Sequence, residues 1–410
     1  MTDVTVPHRV DQLELPYLNT EGMERRDALA AMDVVRETHW LARTDMGYCV
    51  TRHEDVTAIL RDKRFHSALS MLPQMQGVPE NAYWEKRNER QSILAMEGDE
   101  HARLRRLVAP AFTPASANRL RPTMRAVIGD LIDRVAGDGH CEFVADVCDP
   151  YPIPIICELL GAPREDWKLF SHWATDIFRI FNGNLVEDLP FIERAGLELN
   201  EYVAAMVAER RGAPRDDLLS DLIAIEEQGD RLSTGEMTML AQAVLMAGTD
   251  TTRNQLACSV ELFCEHPEQW AVLATRPDLA QRAVEESMRY LGAVRATVRF
   301  AAEDIVYRDV LFPQGTFVTT SLAAANRDPE VWDHPNTFDV TEERSTAQMT
   351  FGSGIHFCLG AALARAELQV ALPILAQRMR GLALDGQVEW KPATFGIWGP
   401  ARLPLRFTPS

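Results

Sequence analysis

Ser233-Thr-Gly-Glu236 is a capping box, with a hydroxyl and a carboxylate spaced to satisfy the free amides at the start of a helix. No stop signal follows until His266-Pro267, so the spacing predicts one helix of about 30 residues, roughly 45 Å long. Most globular helices are about 10–14 residues. A helix this long and apolar on most sides is buried for much of its course. It is therefore expected to cross the middle of the molecule; length alone leaves the number of domains open.

Shorter helical patterns flank it. Thr113-Pro114 reads as a cap followed by a first-turn proline, with apolar spacing to about Val135 before Gly137. One helix after Pro277 carries Glu286 to Tyr290; another follows Cys358 to about Arg380, with a bend expected at Pro373. Strand signals are few: Tyr48 to Thr51, Leu403 to Thr408, and two runs, Ile305 to Phe312 and Thr316 to Leu322, that suggest a hairpin across Pro313-Gln-Gly315. The expected fold class is mainly α, an α+β arrangement with a small sheet at one side.

The 60 acidic residues against 42 basic ones give a formal net charge of −18. That balance argues against a nucleic-acid partner, which needs a basic face. Seven scattered cysteines, behind a start without a basic and apolar leader, fit reduced thiols in a cytoplasmic protein. No apolar run reaches the roughly 20 residues of a spanning helix, so no membrane anchor is expected.

The most informative short stretch is Phe351-Gly352-Ser-Gly354-Ile-His356-Phe-Cys358-Leu-Gly360. Three glycines around one cysteine permit tight turns and close approach to a flat partner. Amides at the start of the following helix favour a thiolate, which serves as a metal ligand or a nucleophile. A zinc site needs more ligands nearby, and no Cys-x-x-Cys is present. An iron–sulfur cluster needs four spaced cysteines. A nucleophilic cysteine needs a histidine base, and His356 is close in sequence for that role. A lone cysteine also occurs as a small core residue.

Position for position, Phe351-Gly352-x-Gly354-x-His356-x-Cys358-x-Gly360 resembles the haem-binding signature of the cytochrome P450 family. The resemblance implies the P450 fold as a single domain over residues 1–410, with haem b between the long central helix and the cysteine-loop helix. It implies Cys358 as the axial thiolate on iron, a ligand that favours O–O cleavage. Dioxygen is the implied co-substrate, and Phe351, Gly352 and Gly360 belong to the implied cradle.

Other segments extend the resemblance in the expected order. Glu286-x-x-Arg289, by itself the spacing of an ordinary helical ion pair, resembles the family's buried structural pair. Within the long helix, Ala247-Gly248-Thr249-Asp250-Thr251-Thr252 combines an interior glycine with threonines that can bond the carbonyl four residues back and bend the helix. It resembles the oxygen-activation segment, which implies a distortion beside the haem at Ala247, Thr251 as hydrogen-bond donor to bound dioxygen and Asp250 as proton relay. His101-x-x-x-Arg105, Arg299 and His356 resemble the family's haem-propionate partners. Many bacterial members have proline after the Glu-x-x-Arg helix, where this chain reads Leu291-Gly-Ala-Val-Arg295, so a looser backbone is expected there.

The resemblance implies a monooxygenase supplied with two electrons by a ferredoxin and an NAD(P)H-dependent ferredoxin reductase. The implied reaction is hydroxylation or epoxidation of a hydrophobic small molecule; oxidative coupling, dehydrogenation or C–C cleavage is the alternative use of the same chemistry. Met75, Leu245, Val294, Arg295 and Ile397 are the expected pocket residues, with core packing as their other reading. A basic patch of Arg103, Arg106 and Arg365 is expected near Cys358, where it would steer an acidic donor.

Overall fold

The computed structural model describes residues 7–20, 22, 23, 25–71, 77, 78, 92–181, 184–227, 233–391 and 397–409. The helices that position the site are α1 (Gly98–Val108), α2 (Pro152–Leu160), α3 (Trp167–Phe178), α4 (Leu185–Gly212), α5 (Thr234–Glu265), α6 (Ala280–Tyr290) and α7 (Ala361–Arg378). The long helix is α5, with 32 residues, and both halves of the Ser233–Glu236 capping box are formed. Buried side chains occur around most of α5, from Met237 and Leu240 to Leu262 and Phe263. The main apolar core is built on α5, α2 and α7 and includes Ile156, Leu256 and Leu372. Gly248 lets α5 lie close to α2, since a Cβ there would stand 2.2 Å from Ile156 Cδ1.

The largest sheet contains β1 (Leu41–Thr44), β2 (Gly47–Val50), β3 (Phe65–Ser67), β4 (Ala296–Ala301) and β5 (Phe317–Ser321), in spatial order β1-β2-β5-β4-β3. A second apolar cluster, including Leu41, Val50, Phe65, Phe312 and Val318, packs beneath it. The fold is helix-rich with small sheets, and no described helix is long and apolar enough to cross a membrane.

Several local expectations change. Ile305–Tyr307 pairs with Val310–Phe312, so the hairpin turn lies at Arg308-Asp309 and not at Pro313–Gly315. Arg308 and Asp309 both have positive φ, 46° and 59°, the geometry that matches a two-residue turn to strand twist. β5 pairs instead with β4 and β2. Thr113 does cap a helix through the Ser116 amide, at 3.2 Å. That helix stops at Arg119, and a second one, Arg121–Asp133, carries proline in its own first turn.

The segment after α6 is pinned, not loose. A Cβ on Gly292 would lie 2.5 Å from Thr350 Oγ1 and 2.8 Å from the Met288 carbonyl. The Ala293 amide donates to Gln255 Oε1 at 2.8 Å, its carbonyl accepts from the Trp398 amide at 2.8 Å, and Val294 bridges Ile397. Glycine at 292 permits the close approach of Thr350 and the Met288 carbonyl that a Cβ would block.

Candidate functional site

The cysteine loop is closed by its own backbone. The Gly352 amide donates to the Met349 carbonyl at 2.7 Å, and the Cys358 amide donates to the Phe351 carbonyl at 2.9 Å. Gly352 and Gly354 both have φ near 71°, a region costly for residues with a Cβ. At Gly354 a Cβ would also meet the Leu60 carbonyl oxygen at 2.1 Å, so the second glycine is required by packing too. Phe351 is buried, with the Arg365 guanidinium 4.4 Å from its ring centre.

Cys358 stands three residues before the start of α7, in an open part of the loop but with protein packed around its sulfur. Burial by the surrounding protein pushes its thiol pKa up; the Gly360 amide hydrogen bond, Arg105 and Arg365 oppose this without cancelling it. The amide and cation environment expected from the sequence is present, but deprotonation needs the further pull of a bound cation.

Cations and imidazoles gather beside this loop. Arg105, on α1, donates from Nη2 to the Phe357 carbonyl at 2.5 Å. His101, one turn earlier and buried, lies 4.7 Å ring to ring from His356. Burial lowers the His101 pKa, with His356 and Arg105 acting in the same direction. His356 Nε2 bonds Glu97 Oε1 at 3.0 Å, and that oxygen also accepts from the Ser67 amide at 2.6 Å. Burial pushes the Glu97 carboxyl up, but these two hydrogen bonds and the nearby imidazoles bring it below its ordinary value.

Arg299, on β4, is 5% exposed, and its described hydrogen bond runs only to the neighbouring Val298 carbonyl, at 3.1 Å. Desolvation lowers its pKa to about 10. Glu97 acts on it only at a distance, and no carboxylate among the described residues is in ion-pair contact with this buried guanidinium, an arrangement that suits an anion. The cysteine loop, with Arg105, His101 and His356 beside it and Arg299 buried within the field of Glu97, suits a flat group that carries carboxylates.

On α5, Ala247 is exposed and Thr251 half-exposed in a helix otherwise buried on most sides. Four residues apart, they share one face. Thr251 Oγ1 donates to the Ala247 carbonyl at 2.8 Å, the bond anticipated from the sequence, but α5 remains continuous through it. Asp250 points elsewhere: it is 4% exposed, and its Oδ1 accepts from Arg253 Nε at 2.6 Å. Lys391 Nζ lies 3.8 Å from the same oxygen.

Glu286 and Arg289 form a buried two-pronged pair, at 2.7 and 2.8 Å. Arg289 also donates to the Asn326, Pro335 and Thr337 carbonyls, and Arg344 adds a second guanidinium to Glu286. Asn326 continues the network to the cysteine loop through the Met349 amide, at 2.6 Å, and Thr350.

Of the expected pocket residues, Val294, Arg295 and Ile397 are together beside Trp398. Val294 bridges Ile397, and the Arg295 guanidinium lies 4.7 Å from the Trp398 ring centre. Leu245 is 3% exposed and belongs to the main core. Met75 lies outside the described residues.

Sequence reasoning missed Glu97, Arg253, Arg344, Glu367 and Lys391. Glu367 had a readable signal, a single acid in the apolar run of α7. Its Oε2 accepts from Thr252 at 3.0 Å while Oε1 has no partner, and full burial raises its pKa to about 8. Arg253 had one too, the i,i+3 spacing to Asp250, whereas Glu97 and Lys391 meet partners from distant parts of the chain and Arg344 reaches the remote Glu286.

These features suit a flat, carboxylate-bearing group held beside the cysteine loop. A family profile described as Cytochrome P450 matches residues 164–397, and the chain belongs to the cytochrome P450 family of haem monooxygenases. Luteothin monooxygenase of Streptomyces thioluteus is 35% identical, over 91% of each chain. Mycinamicin IV hydroxylase/epoxidase of Micromonospora griseorubida is 37% identical, over 87% of this chain and 89% of its own. The crystal structure of CalO2 has a similar fold, with a TM-score of 0.87 at 30% identity, covering 94% of this chain and 97% of that one.

Proposed function

We propose that the chain, acting as one domain in the cytoplasm, inserts one atom of dioxygen into a C–H or C=C bond of a hydrophobic small molecule. Two electrons and two protons reduce the other atom to water. The electrons come from NAD(P)H through a ferredoxin reductase and a ferredoxin. The observation that carries this reading is the open Ala247–Thr251 face on α5, flanked by a buried acid at Asp250. A hydroxyl and an acid on adjacent residues suit proton delivery to dioxygen and have no use in a passive haem carrier. The names of the monooxygenase and hydroxylase/epoxidase relatives favour oxygen insertion over oxidative coupling.

Haem held by the Cys358 thiolate supplies the redox chemistry. Arg105, Arg299, His101 and His356 would bind its carboxylates, and Phe351, Gly352 and Gly360 would form the floor. Thr251 Oγ1 holds a proton that it now shares with the Ala247 carbonyl and would present it to dioxygen. Asp250, whose Oδ1 now faces Arg253 and Lys391, would replace that proton after turning toward Thr251. Val294 and Ile397 would present apolar surface to the substrate, with Arg295 at its edge. The Glu286–Arg289 pair holds the loop in place without taking part in the chemistry.

Arg103 pairs with Glu236 and Arg365 with Glu285, so the basic patch for the ferredoxin is weaker than the sequence suggests and centres on exposed Arg106. Reversing the charge of Arg106 should slow reduction without altering substrate binding.

The test of function is spectroscopic. The purified chain should bind haem and give the ferrous carbonyl absorption of a thiolate-ligated iron, which Cys358→His should abolish. An unchanged spectrum in that variant, or no porphyrin in the parent, would overturn the reading. Labelled dioxygen should place one heavy atom in product for any substrate that shifts the ferric iron to high spin.

A further inference from the structure

The stripe of α5 that opens at Ala247 and Thr251 continues at the same four-residue spacing to Gln255 and Ser259, where it is buried. A buried carboxamide needs partners for both of its ends. Gln255 Oε1 accepts from the Ala293 amide at 2.8 Å, and its Nε2 donates to the Leu291 carbonyl at 3.1 Å. Turning the carboxamide over would set nitrogen against N–H and oxygen against carbonyl, so these two bonds fix its orientation. A residue of a parallel strand makes the same two bonds to the residues on either side of its partner. Residues 291–294 precede β4, which begins at Ala296, so one side chain of α5 does for them what a neighbouring strand would do.

A second segment hangs from the first and from the same helix. The Ala293 carbonyl accepts from the Trp398 amide at 2.8 Å, and Val294 and Ile397 form an antiparallel bridge. Cys258 Sγ donates to the Trp398 carbonyl at 3.7 Å. A Cβ on Gly399 would stand 2.8 Å from Asn254 Oδ1, and Asn254 Nδ2 is itself tied to the Asp250 carbonyl at 2.7 Å. Both stretches are therefore set against one short length of α5, and the one that carries Val294 is gripped by Gln255. Four residues separate Gln255 from Thr251, about 6 Å along the helix axis. The Val294–Ile397 pair is thus fixed within one turn of the Thr251 hydroxyl, a distance that a small molecule spans.

We propose that Gln255 is a specificity-determining positioning residue: by gripping the backbone at Leu291 and Ala293 it sets where Val294 and Ile397 stand, and so which ligands fit and which carbon is presented for oxidation. The inference rests on the proposed monooxygenase function, in which that pair forms the apolar wall of the substrate site. Gln255 acts through the backbone it holds, not by meeting the substrate. Methionine at this position has the same length but neither hydrogen-bonding end. It leaves a buried N–H and a buried carbonyl unpaired, and the segment relieves that cost by moving away from α5. A shift of about 1 Å in a positioning group is enough to change a reaction rate about 10²-fold.

The experiment uses the haem-loaded protein and two probes that ligate iron, imidazole and 4-phenylimidazole, with dissociation constants read from the shift of the Soret band. Imidazole reports on the iron and its immediate surroundings, and the phenyl ring adds contact with the wall. In Gln255→Met the affinity advantage of 4-phenylimidazole over imidazole should fall at least about fivefold, while imidazole binding and the ferrous carbonyl spectrum stay as in the parent. Gln255→Glu at about pH 6, where burial keeps the carboxyl neutral and able to accept and donate as the amide does, should retain most of the advantage. Phe263→Leu loosens the same helix two turns further on, where the ring packs against Trp270 and Phe338, and should leave the advantage unchanged. A parental advantage in Gln255→Met, or an equal loss in Phe263→Leu, would overturn the proposal. Amide hydrogen exchange is a second readout that needs no ligand: peptides spanning residues 291–295 and 397–399 should exchange about tenfold faster or more in Gln255→Met and as in the parent in Phe263→Leu. Unchanged protection there in Gln255→Met also overturns it. A parent that takes up no haem would instead overturn the proposed function, an outcome distinct from each of these.

Discussion

Replacing Glu367 by glutamine should stabilise the protein at high pH and leave it nearly unchanged at low pH. The carboxyl is fully buried in α7 and its pKa is raised to about 8, from an ordinary value of 4.5. Between those two values the unfolded chain has lost the proton while the folded chain keeps it. Folding stability therefore falls as pH rises from about 4.5, and the loss is complete above about 8. At about 1.4 kcal/mol per pH unit, the interval amounts to roughly 5 kcal/mol as an upper figure. Relaxation around the charge brings the expected effect to about 3 kcal/mol.

Glutamine has nearly the same shape and can still accept the Thr252 hydroxyl, now 3.0 Å from Oε2. At about 2.1 cal/mol/K of unfolding entropy per residue, 410 residues convert 3 kcal/mol into a rise of about 3–4 °C. The assay is thermal or urea unfolding of parent and Glu367→Gln at pH 5 and pH 9. Taking the difference between variants at each pH cancels every other titrating group. An equal effect at both pH values, or a loss of stability at pH 9, would refute the assignment of a neutral buried acid.

Gly248→Ala should cost about 1–3 kcal/mol in urea unfolding, because the new Cβ meets Ile156 Cδ1 at 2.2 Å; Ile156→Ala in the same chain should recover part of that loss. Arg299→Met should speed haem transfer to an apo-acceptor about tenfold or more, while unfolding of the haem-free chain is unchanged or slightly stabilised by removal of a buried cation with no carboxylate in contact among the described residues. Glu286→Ala should lower stability by about 3–5 kcal/mol, read as reduced urea midpoint and reduced yield of folded protein, because it leaves the buried Arg289 guanidinium without its carboxylate, while Arg344 keeps Glu342.

The core of the site was legible because its signals are local. A capping box and an uninterrupted apolar pattern specify α5, since helix starts and periodicity are written within a few residues. The glycines around Cys358 mark backbone turns that side chains would obstruct, and at Gly354 the obstruction is the carbonyl of Leu60. The Thr251–Ala247 bond is likewise a contact between neighbours on one helix face. Strand pairing was read less well. The run ending at Phe312 and the one beginning near Thr316 are close in sequence, yet they enter different sheets, with turn geometry at Arg308-Asp309 separating them.

By itself, the sequence determined which segments become α5 and the cysteine loop, and so which family the chain resembles. Tertiary structure alone decided what each charged group meets. Asp250 and Thr251 are neighbours in sequence, but successive helical side chains diverge by about 100°, so one lies open while the other is buried against Arg253 and Lys391. Glu286 gains Arg344, Glu97 gains His356, and Glu367 gains Thr252, each from a remote segment. A charge in a low-dielectric interior is governed by whichever partner the fold delivers, and sequence spacing does not carry that distance.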